Sequence, residues 1–534
     1  MRFNCSGLFN EFQKTRKPDN FLPITSAVLA AAIAVYGVKM IFSSKNPRKS
    51  DFKSYRVIPT PPGSLFYFGH TLSLGNMPAH KITEWHKELG PILRVKIGVQ
   101  DWIFIGDSTM AHDIFTLEAN LTSYRPHFMF DNAISSESER QVAFAEKDIK
   151  WDDIRTTILD ILSPSSLKGF DATLQEEARV LVEQLIKRTQ RHGSVDPLPF
   201  IQYNLTNVIL SVTFGNSCVK SPNDTVYKCI MGLSRTNLHC IGIFNNTVGF
   251  FSIPSYLNIF SRERRKMRDY TNKVCYPMVQ KLLKNARESS RDNLVKKIDL
   301  LKEEYGVDEK NTTLIMSEIL ATDIETVCST TAWMFALLCH CPEVQRKLAR
   351  EIDNFIGKHY RVPTFEDRLE LPYYCAVQKE CLRIRPPVYF GVPCKASKDF
   401  VYRNYLIPKG SILVSNIHAL HNDEYAFTEP EKFIPERFLH DTHTMHARAH
   451  GRFENRDHFA FGWGRRMCPG ILLAENKLFN IVAMIVVRCT IEPVLTSKGQ
   501  VIYPNLTDIR NEGATVVPGP FQLRFIERDD RLIV

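Results

Sequence analysis

The sequence lacks the patterns of several protein classes. Its 534 residues contain no internal repeat of fixed period and, beyond Gly63, no low-complexity segment, which excludes repeat solenoids and wholly disordered chains. The 13 cysteines are odd in number and irregularly spaced, unlike the disulfide framework of a small secreted domain. Basic residues exceed acidic ones by ten, 68 against 58, without forming one stripe. This favours a membrane surface or an acidic protein over nucleic acid as a partner.

One long apolar run lies near the N-terminus. Residues 21–42 contain a single charge, Lys39, and about 20 residues of helix span the hydrocarbon core of a bilayer. A cleaved signal peptide is the alternative, but its apolar region is shorter, ~7–15 residues. Five basic residues follow the run and four precede it, which favours a cytosolic main body. We expect a lumenal segment over 1–20, with a glycosylation sequon at Asn4, and one membrane anchor over 21–42.

A linker and one large domain follow the anchor. Residues 43–62 are basic and then rich in proline, which resists helix formation, so we expect a stiff spacer. The remainder, 63–534, shows no break in composition and is interpreted as a single domain. Apolar residues at three- and four-residue steps predict helices over 176–189, 277–289, 313–339 and 342–356. Short runs predict strands over 92–99, 101–106, 412–417 and 521–526. The expected fold is mainly α with a small β-sheet region.

The chemistry concentrates in a glycine-rich loop at 461–470. Cys468 lies between glycines, with Arg465 and Arg466 shortly before it. Such a loop can fix a thiolate, offer it backbone N–H donors and lower its pKa with positive charge. The apolar run 471–487 predicts a helix whose N-terminal dipole points toward the sulfur. A lone loop cysteine is otherwise most often a small buried apolar residue, and a zinc site fails because no second Cys or His lies within a few residues.

This loop matches a specific signature. It resembles the haem-ligand motif F-x-x-G-x-R-x-C-x-G of the cytochrome P450 superfamily, with matches at Phe461, Gly464, Arg466, Cys468 and Gly470. The chain is similar to that family from the membrane anchor to the C-terminus, and most similar to its fungal microsomal members. The resemblance implies a cytochrome P450 fold and a haem b whose iron takes the Cys468 thiolate as axial ligand. It also implies a single-pass protein of the endoplasmic reticulum membrane, with the catalytic domain facing the cytosol.

Glu380 and Arg383 form an E-x-x-R pattern, whose three-residue spacing puts both side chains on one face of a helix. Taken alone, such a pair is most often a surface ion pair. The family resemblance implies instead that Arg437, in the segment 435–438, joins them in a buried charge cluster. Its role would be structural.

Trp151 and Arg155 match a W-x-x-x-R pattern, whose Trp and Arg hydrogen-bond a haem propionate in this family. Arginine pairs bidentately with carboxylates, which gives the physical reason for Arg155 and Arg466. Cys394 is a departure, because many relatives carry Arg or His there as a further propionate contact. The cofactor-binding residues implied by the resemblance are therefore Trp151, Arg155, Phe461, Arg466, Cys468 and Gly470.

The predicted helix over 313–339 carries polar residues in an apolar context, which is costly unless they are partnered. The resemblance places Glu325 and Thr326 at the acid–alcohol pair that supplies protons for dioxygen activation. A simpler interpretation is that Thr326 only bonds back to a carbonyl of its own helix. Asp323 replaces the family's glycine and Val327 its trailing hydroxyl. Asp323 is then either a second proton source or a residue that faces away into a polar contact.

The resemblance implies a monooxygenase that hydroxylates a lipophilic small molecule, namely a steroid, fatty acid, terpenoid or aromatic. Its electrons would come from NADPH through cytochrome P450 reductase, with cytochrome b5 as a further candidate partner. An acidic reductase would dock on the positive residues Lys147, Lys150 and Arg465. Apolar pocket walls are expected from the segments 123–136, 239–260 and 510–517.

Two other functions stay open at this point. Some members of the family with an altered acid–alcohol helix rearrange a peroxide as isomerases or dehydratases, without a reductase. A haem sensor or an inactive member would bind haem and turn over no lipophilic compound. A turnover assay without reductase separates the first alternative from a monooxygenase, and a lack of any turnover identifies the second.

Overall fold

The structure is a computed structural model that describes residues 55–126, 143, 145, 149–216, 219, 221–243 and 269–529. The predicted lumenal segment, the membrane anchor and most of the linker lie outside the described residues. So do Lys147 and most of two expected pocket walls, at 127–136 and 244–260.

Helices make up most of the described chain. The α-helices are α1 Pro78–Leu89, α2 Ser108–His112, α3 Ala119–Thr122, α4 Ile149–Ile161, α5 Pro164–Leu167, α6 Asp171–His192, α7 Leu198–Phe214, α8 Thr225–Ile241, α9 Tyr276–Glu288, α10 Leu294–Tyr305, α11 Glu309–His340, α12 Pro342–His359, α13 Pro372–Ile384, α14 Ile417–His421, α15 Met445–His450 and α16 Ile471–Arg488. Two π-helical turns span Asp113–Leu117 and Thr271–Cys275. Short 3-10 turns span Thr71–Ser73, Lys168–Phe170, Phe365–Glu370, Pro435–Phe438, Phe453–Asn455 and Gly464–Arg466.

The strands are short. They are β1 Ile92–Ile97, β2 Gln100–Ile105, β3 Cys394–Lys395, β4 Phe400–Tyr402, β5 Tyr405–Ile407, β6 Ile412–Ser415, β7 Cys489–Glu492, β8 Val494–Leu495, β9 Val501–Ile502, β10 Ile509–Asn511, β11 Val516–Pro518 and β12 Arg524–Glu527. One four-stranded sheet has the order β1-β2-β6-β3, in which β6 joins β2 in parallel and the other pairs are antiparallel. Two-stranded antiparallel ladders pair β4 with β5, β7 with β12, β8 with β9, and β10 with β11. The prediction of a mainly α fold with a small β region is confirmed.

The predicted elements are present, and their ends follow local capping. The helix predicted over 313–339 begins earlier, at Glu309, because the Asp308 carboxylate accepts a hydrogen bond from the Asn311 N–H. This polar first turn has no apolar period, so the sequence pattern did not reveal it. The next helix, α12, has Pro342 as its first residue, where a missing N–H leaves no hydrogen bond unmade.

Two buried helices, α11 and α16, form the centre of the core. The 32-residue α11 is buried along most of its length and packs against α7, α8 and α16. Its hydroxyl groups donate to carbonyls one turn back, as Thr313 does to Glu309 and Ser317 to Thr313. The helix α16 is mostly apolar and is buried from Ile471 to Val487 almost without a break, as expected of a core helix. These two helices position the residues of the candidate site.

The last residues of the predicted linker already pack onto the folded body. Ile58 is buried, and the carbonyl of Pro59 accepts the Arg94 N–H at 2.8 Å. The His70 imidazole bonds to the Pro61 carbonyl at 2.8 Å. Packing of the chain therefore starts several residues before Gly63.

Within the described residues, no single helix has both the length and the apolar composition needed to cross a bilayer. The helices α11 and α12 meet that requirement only as a pair, which is bent by 105°. Because α11 is mostly buried in the core, its apolar composition is explained by packing.

Candidate active site

The loop that carries Cys468 is held by its own backbone. The Cys468 N–H donates to the Phe461 carbonyl at 3.0 Å, and a 3-10 turn spans Gly464–Arg466. Gly464 has a φ of +49°, and a Cβ at this position would lie 2.3 Å from the Phe115 carbonyl oxygen. Only glycine fits so close to the π-helical turn behind the loop. The loop is therefore packed in one conformation, with Cys468 just before the first turn of α16.

Cys468 is the one exposed cysteine among the ten that the structure describes. Burial among protein atoms nevertheless raises the pKa of its thiol. The Gly470 N–H and the charge of Arg155 act against this shift, whereas the charge of Asp323 adds to it. The sulfur is thus reachable and has both an N–H donor and a cation nearby.

A single sulfur is an incomplete ligand set for a bare metal ion. Within the described residues, no group of three or more His, Cys, Asp or Glu side chains is placed to hold one. A haem iron carries its ring nitrogens as ligands and takes its axial ligand from the protein. An accessible thiol with an N–H donor and arginines nearby therefore fits a haem and does not fit a zinc ion.

Arg155 and Arg466 both contact the indole ring of Trp151. Their guanidinium carbons lie 5.6 and 4.1 Å from its centroid. Arg155 also donates to the carbonyl of Met467, the residue before Cys468, at 2.6 Å. Burial lowers the pKa of Arg155, but a guanidinium stays charged in proteins. The structure brings these predicted cofactor-binding residues together beside the Cys468 loop.

A third arginine, Arg125, belongs to this group, although no sequence motif indicated it. Arg125 is 3% exposed, and its charge interacts with that of Arg155. It donates to the carbonyls of Val392 and Pro393 at 2.9 and 2.8 Å, and to the sulfur of Cys394 at 3.4 Å. At Cys394, where many relatives carry Arg or His, a buried arginine from another segment is thus in contact with the cysteine. The available signal was an arginine followed by proline inside a segment that we assigned to the pocket wall.

Glu380 and Arg383 form a buried ion pair on α13. Two guanidinium nitrogens of Arg383 donate to the Glu380 carboxylate at 2.7 and 2.8 Å, and a third donates to the Pro430 carbonyl at 2.7 Å. The Ile434 N–H donates to the same carboxylate at 2.9 Å, and Arg437 Nε lies 3.3 Å from it. The three charged residues named from the sequence therefore meet in one cluster. Fully satisfied hydrogen bonding is what a buried ion pair needs to be tolerated.

Thr326 lies on a regular part of α11. The helix runs without interruption through the altered motif, although Asp323 stands where the family has glycine. The Thr326 hydroxyl lies 3.2 Å from the carbonyl oxygens of both Thr322 and Asp323, to which it donates. The hydroxyl of Thr326 therefore bonds back to carbonyls of its own helix, as the simpler interpretation of this residue predicted. The side chain is half-buried, so the same hydroxyl can also accept a hydrogen bond.

Glu325 faces α7 and α8. The Gln202 amide donates to its two carboxylate oxygens at 3.3 and 3.2 Å, and Arg235 Nε lies 3.6 Å away. Burial raises the pKa of Glu325, while Arg235 and Gln202 act against the shift. The Arg235 side chain is 60% exposed. It therefore connects this half-buried carboxyl to the protein surface.

Asp323 faces a different partner. Its carboxylate forms an ion pair with Lys477 on α16. Residues two apart on an α-helix point about 200° apart, so Asp323 and Glu325 cannot share a partner. The two carboxylates near Thr326 are thus separated onto opposite sides of α11.

An apolar pocket lies between the start of α1, the chain before β3 and the β10–β11 hairpin. It is lined mainly by apolar residues, including Ala79, Ile243, Val388, Phe390, Ala514 and Val516. The expected wall segment 510–517 thus contributes to a pocket. From the other two wall segments, only 123–126 and 239–243 fall within the described residues.

Of the three positive residues assigned to reductase docking, two are described. Lys150 and Arg465 are both exposed, whereas Lys147 lies outside the described residues. Arg465 belongs to the Cys468 loop, and Lys150 is near the start of α4, which also carries Trp151 and Arg155. The two exposed cations therefore belong to the same elements as Trp151, Arg155 and Arg466.

Comparison with known proteins identifies a single family. The family model described as Cytochrome P450 matches residues 59–524. Cytochrome P450 monooxygenase 58 of Postia placenta is 25% identical, over 90% of either chain. Steroid 17-alpha-hydroxylase/17,20 lyase of Peromyscus leucopus is 29% identical, over 83% of this chain and 87% of the relative. A zebra fish cytochrome P450 solved with progesterone superimposes with a TM-score of 0.68 at 20% identity, covering 84% of this chain and 99% of the zebra fish one.

Proposed function

The chain belongs to the cytochrome P450 family and is a haem-thiolate monooxygenase, and from that premise we propose its reaction. It inserts one oxygen atom of dioxygen into a lipophilic small molecule, with electrons from NADPH delivered by cytochrome P450 reductase. The observation that carries the proposal is the accessible thiol of Cys468, set in the haem-ligand loop beside the arginines of α4 and of the loop itself.

The described residues fit the binding of a haem. When bound, the haem supplies the iron that binds and activates dioxygen. Cys468 would be its protein ligand, and the Gly470 N–H and the charge of Arg155 favour the thiolate form. Arg155, Arg466 and Arg125 would hold the propionates, because guanidinium groups pair well with carboxylates. Trp151 supports two of these arginines with its ring.

Proton supply is assigned to Glu325 and Thr326. A carboxyl whose pKa is raised by burial can hold and release a proton closer to neutral pH than a free one can. The buried Gln202 and the exposed Arg235 both contact this carboxyl, and Thr326 follows Glu325 directly in the chain. The pair therefore offers a route for protons from the surface toward the middle of α11.

The substrate we propose is a lipophilic small molecule. The apolar pocket beside the β10–β11 hairpin supports a lipophile. One relative is named for steroid hydroxylation, and the zebra fish structure is titled with progesterone. Steroids therefore stand before fatty acids, terpenoids and aromatics as the first compounds to test.

We propose attachment to the endoplasmic reticulum membrane through residues 21–42. Four exposed apolar side chains at the end of the linker and shortly after it support a membrane contact of the body itself: Val57, Leu65, Phe66 and Leu72. Deleting residues 1–42 should release much of the protein from membranes, with a remainder held by this patch. A deletion that leaves membrane binding unchanged would contradict the anchor.

The haem-thiolate assignment is tested by the spectrum of the reduced, carbonyl-bound protein. The wild type should show the red-shifted Soret band of a thiolate-ligated haem, and Cys468→Ala should lose it. Cys489→Ala, at a buried cysteine of β7, is the matched control and should keep the band. A wild-type spectrum typical of imidazole ligation would overturn the assignment.

The back-bonding of the Thr326 hydroxyl favours one second candidate, a peroxide rearrangement that needs no reductase. Substrate turnover with NADPH and reductase supports the monooxygenase. If a lipid peroxide were turned over at the same rate with and without reductase, the isomerase would replace the monooxygenase as the proposed function.

Reductase docking has its own test. Lys150→Glu with Arg465→Glu should slow the reduction of the protein, most at low ionic strength, because salt screens exposed charges over about 8–10 Å. Lys281→Glu, an exposed charge on α9, is the control and should leave the rate unchanged. Equal rates in all variants would rule out this face.

A further inference from the structure

Two cysteines from different elements meet in the core. Cys229 lies near the start of α8, and Cys275 is the last residue of the π-helical turn that leads into α9. Both are free thiols, and their sulfur atoms lie 3.5 Å apart, within the hydrogen-bond distance of thiols. The two residues are 46 positions apart in the chain, so tertiary packing brings the sulfurs into contact.

The two thiols lie where three helical elements meet. They belong to one buried apolar cluster with Leu233 of α8, Val274 of the π-helical turn and Ala321 of α11. The exposed fractions of Cys229 and Cys275 are 2% and 0%. An oxidant of about the size of a water molecule suits so buried a site, whereas a bulky one such as oxidised glutathione does not.

Tyr270 gives the Cys229 sulfur a further polar neighbour. A Cβ at Gly232, one turn after Cys229, would lie 2.8 Å from the Tyr270 hydroxyl oxygen. The glycine therefore leaves room for this hydroxyl beside α8. Hydrogen bonding to Cys275 lowers the pKa of Cys229, burial acts against this shift, and hydrogen bonding to Tyr270 adds to it. Two neighbours thus favour the thiolate of Cys229, which is the reactive form of a cysteine.

We propose that Cys229 and Cys275 form a redox site in which hydrogen peroxide converts the two thiols into a disulfide. The Cys229 thiolate attacks one peroxide oxygen, the O–O bond breaks, and a sulfenic acid and hydroxide form. The hydroxide takes up the proton that Cys229 released and becomes water. The Cys275 sulfur then displaces the sulfenic oxygen, which leaves as a second water with the Cys275 proton, and the S–S bond forms. The two sulfurs lose two electrons in total, and these reduce the peroxide.

The disulfide would fix α8 to the π-helical turn. The sulfurs need to approach each other by about 1.5 Å, because an S–S bond is about 2.05 Å long. Turns of the π type are rare and lie frequently at functional sites. The bond would link residues 46 positions apart and so restrict the unfolded chain, which should raise the urea concentration at the midpoint of unfolding. The site uses no haem chemistry, so it does not rest on the proposed function.

The test uses the purified holoprotein treated with a small excess of hydrogen peroxide. Catalase then removes the peroxide, free thiols are alkylated during unfolding, and the peptides are analysed by mass spectrometry. The wild type should give a Cys229–Cys275 peptide pair that dithiothreitol separates. Cys275→Ser should stop the reaction at the sulfenic acid of Cys229, which dimedone traps. Cys381→Ser, at a buried cysteine of α13, is the control and should keep the disulfide.

Two further measurements test the geometry of the site. Tyr270→Phe should slow disulfide formation severalfold, because the Cys229 thiolate loses one hydrogen-bond donor. The oxidised wild type should unfold at a higher urea concentration than the reduced wild type, and this difference should be absent in Cys275→Ser.

Three results would overturn the proposal. They are alkylation of Cys229 and Cys275 to the same extent as in untreated protein, a cross-link of Cys229 to a different cysteine, and a lower urea midpoint after oxidation. The main result is obtained on the wild type, so it stands even if a variant fails to fold. A missing thiolate spectrum would overturn the proposed function and would leave the formation of this disulfide unaffected.

Discussion

The guanidinium group of Arg466 lies over the indole ring of Trp151, with its carbon 4.1 Å from the ring centroid. Arg155 approaches the same ring at 5.6 Å. One aromatic side chain on α4 therefore orders two arginines that come from different parts of the chain. Each arginine also donates to backbone carbonyls near the Cys468 loop, so their directions are set before any ligand binds.

Loss of the Trp151 ring should weaken haem retention. Each cation–π contact is worth about 0.5–2 kcal/mol, so Trp151→Leu should speed haem loss severalfold, and Trp151→Phe should have a smaller effect because a ring remains. The measurement is the rate of haem transfer to apomyoglobin. Arg361→Lys, which disturbs an exposed guanidinium over Phe355, is the control. Haem loss at the wild-type rate in Trp151→Leu would remove the ring from the binding site.

Thr326→Ala should divert electrons from product into hydrogen peroxide. The haem spectrum and substrate binding should stay unchanged, because among the described residues the lost hydroxyl donates only to carbonyls of its own helix. Loss of a proton-transfer group typically costs about 10²–10⁴-fold in the step it serves. Peroxide and product are measured per NADPH consumed.

The matched control for this prediction is Thr330→Ala, one turn further along α11. Its hydroxyl donates to the Thr326 carbonyl at 3.1 Å and is buried. It should leave the ratio of product to NADPH at the wild-type value. An unchanged ratio in Thr326→Ala would take Thr326 out of the mechanism and favour the peroxide-rearranging alternative.

Arg383→Ala should be one of the most destabilising single changes in the domain. It leaves the Glu380 carboxylate buried without its main partner, which typically costs about 3–5 kcal/mol in the free energy of unfolding. Arg437→Ala should cost less, because its contact with Glu380 is longer, 3.3 Å, and its side chain is partly exposed. Urea unfolding of both variants measures the difference. Equal losses would contradict the unequal roles assigned to the two arginines.

Glu475 should make stability fall as pH rises toward 8. Burial raises the pKa of Glu475 from 4.5 to about 8, and its carboxyl accepts the Met445 N–H at 3.0 Å. Between these pH values the folded state binds the proton and the unfolded chain does not, so the folded state loses its advantage as pH increases. Glu475→Gln is neutral at every pH and should flatten this fall.

The measurement for Glu475 is the free energy of unfolding by urea between pH 4.5 and 8. Glu343→Gln, at an exposed position of α12, is the control and should follow the wild type. If the Glu475→Gln and wild-type curves were parallel, the buried carboxyl would not be the source of the pH dependence.

Local patterns of the sequence were sufficient to predict part of the fold and part of the candidate site. The predicted helices and strands follow from apolar periods within one segment, and the Cys468 loop and the Glu380–Arg383 pair follow from spacings of a few residues. Such features depend on residues that are close in the chain, so they can be predicted from the sequence without knowing the tertiary structure. The start of α11 at Glu309 was not predicted, because the polar residues of a capped first turn show no apolar period.

The partners of the polar groups were decided by the tertiary structure. The sequence left open whether Asp323 is a proton source or a residue in a polar contact. In the structure Asp323 contacts Lys477, which lies 154 residues later in the chain. Arg125 meets Pro393, and Gln202 meets Glu325, across similarly long separations. No spacing rule relates such residues, because their meeting depends on how whole helices pack and not on the period of any one of them. The sequence by itself therefore determined the loop, the helices and the family, and the packing of α7, α11 and α16 decided which charges face each other.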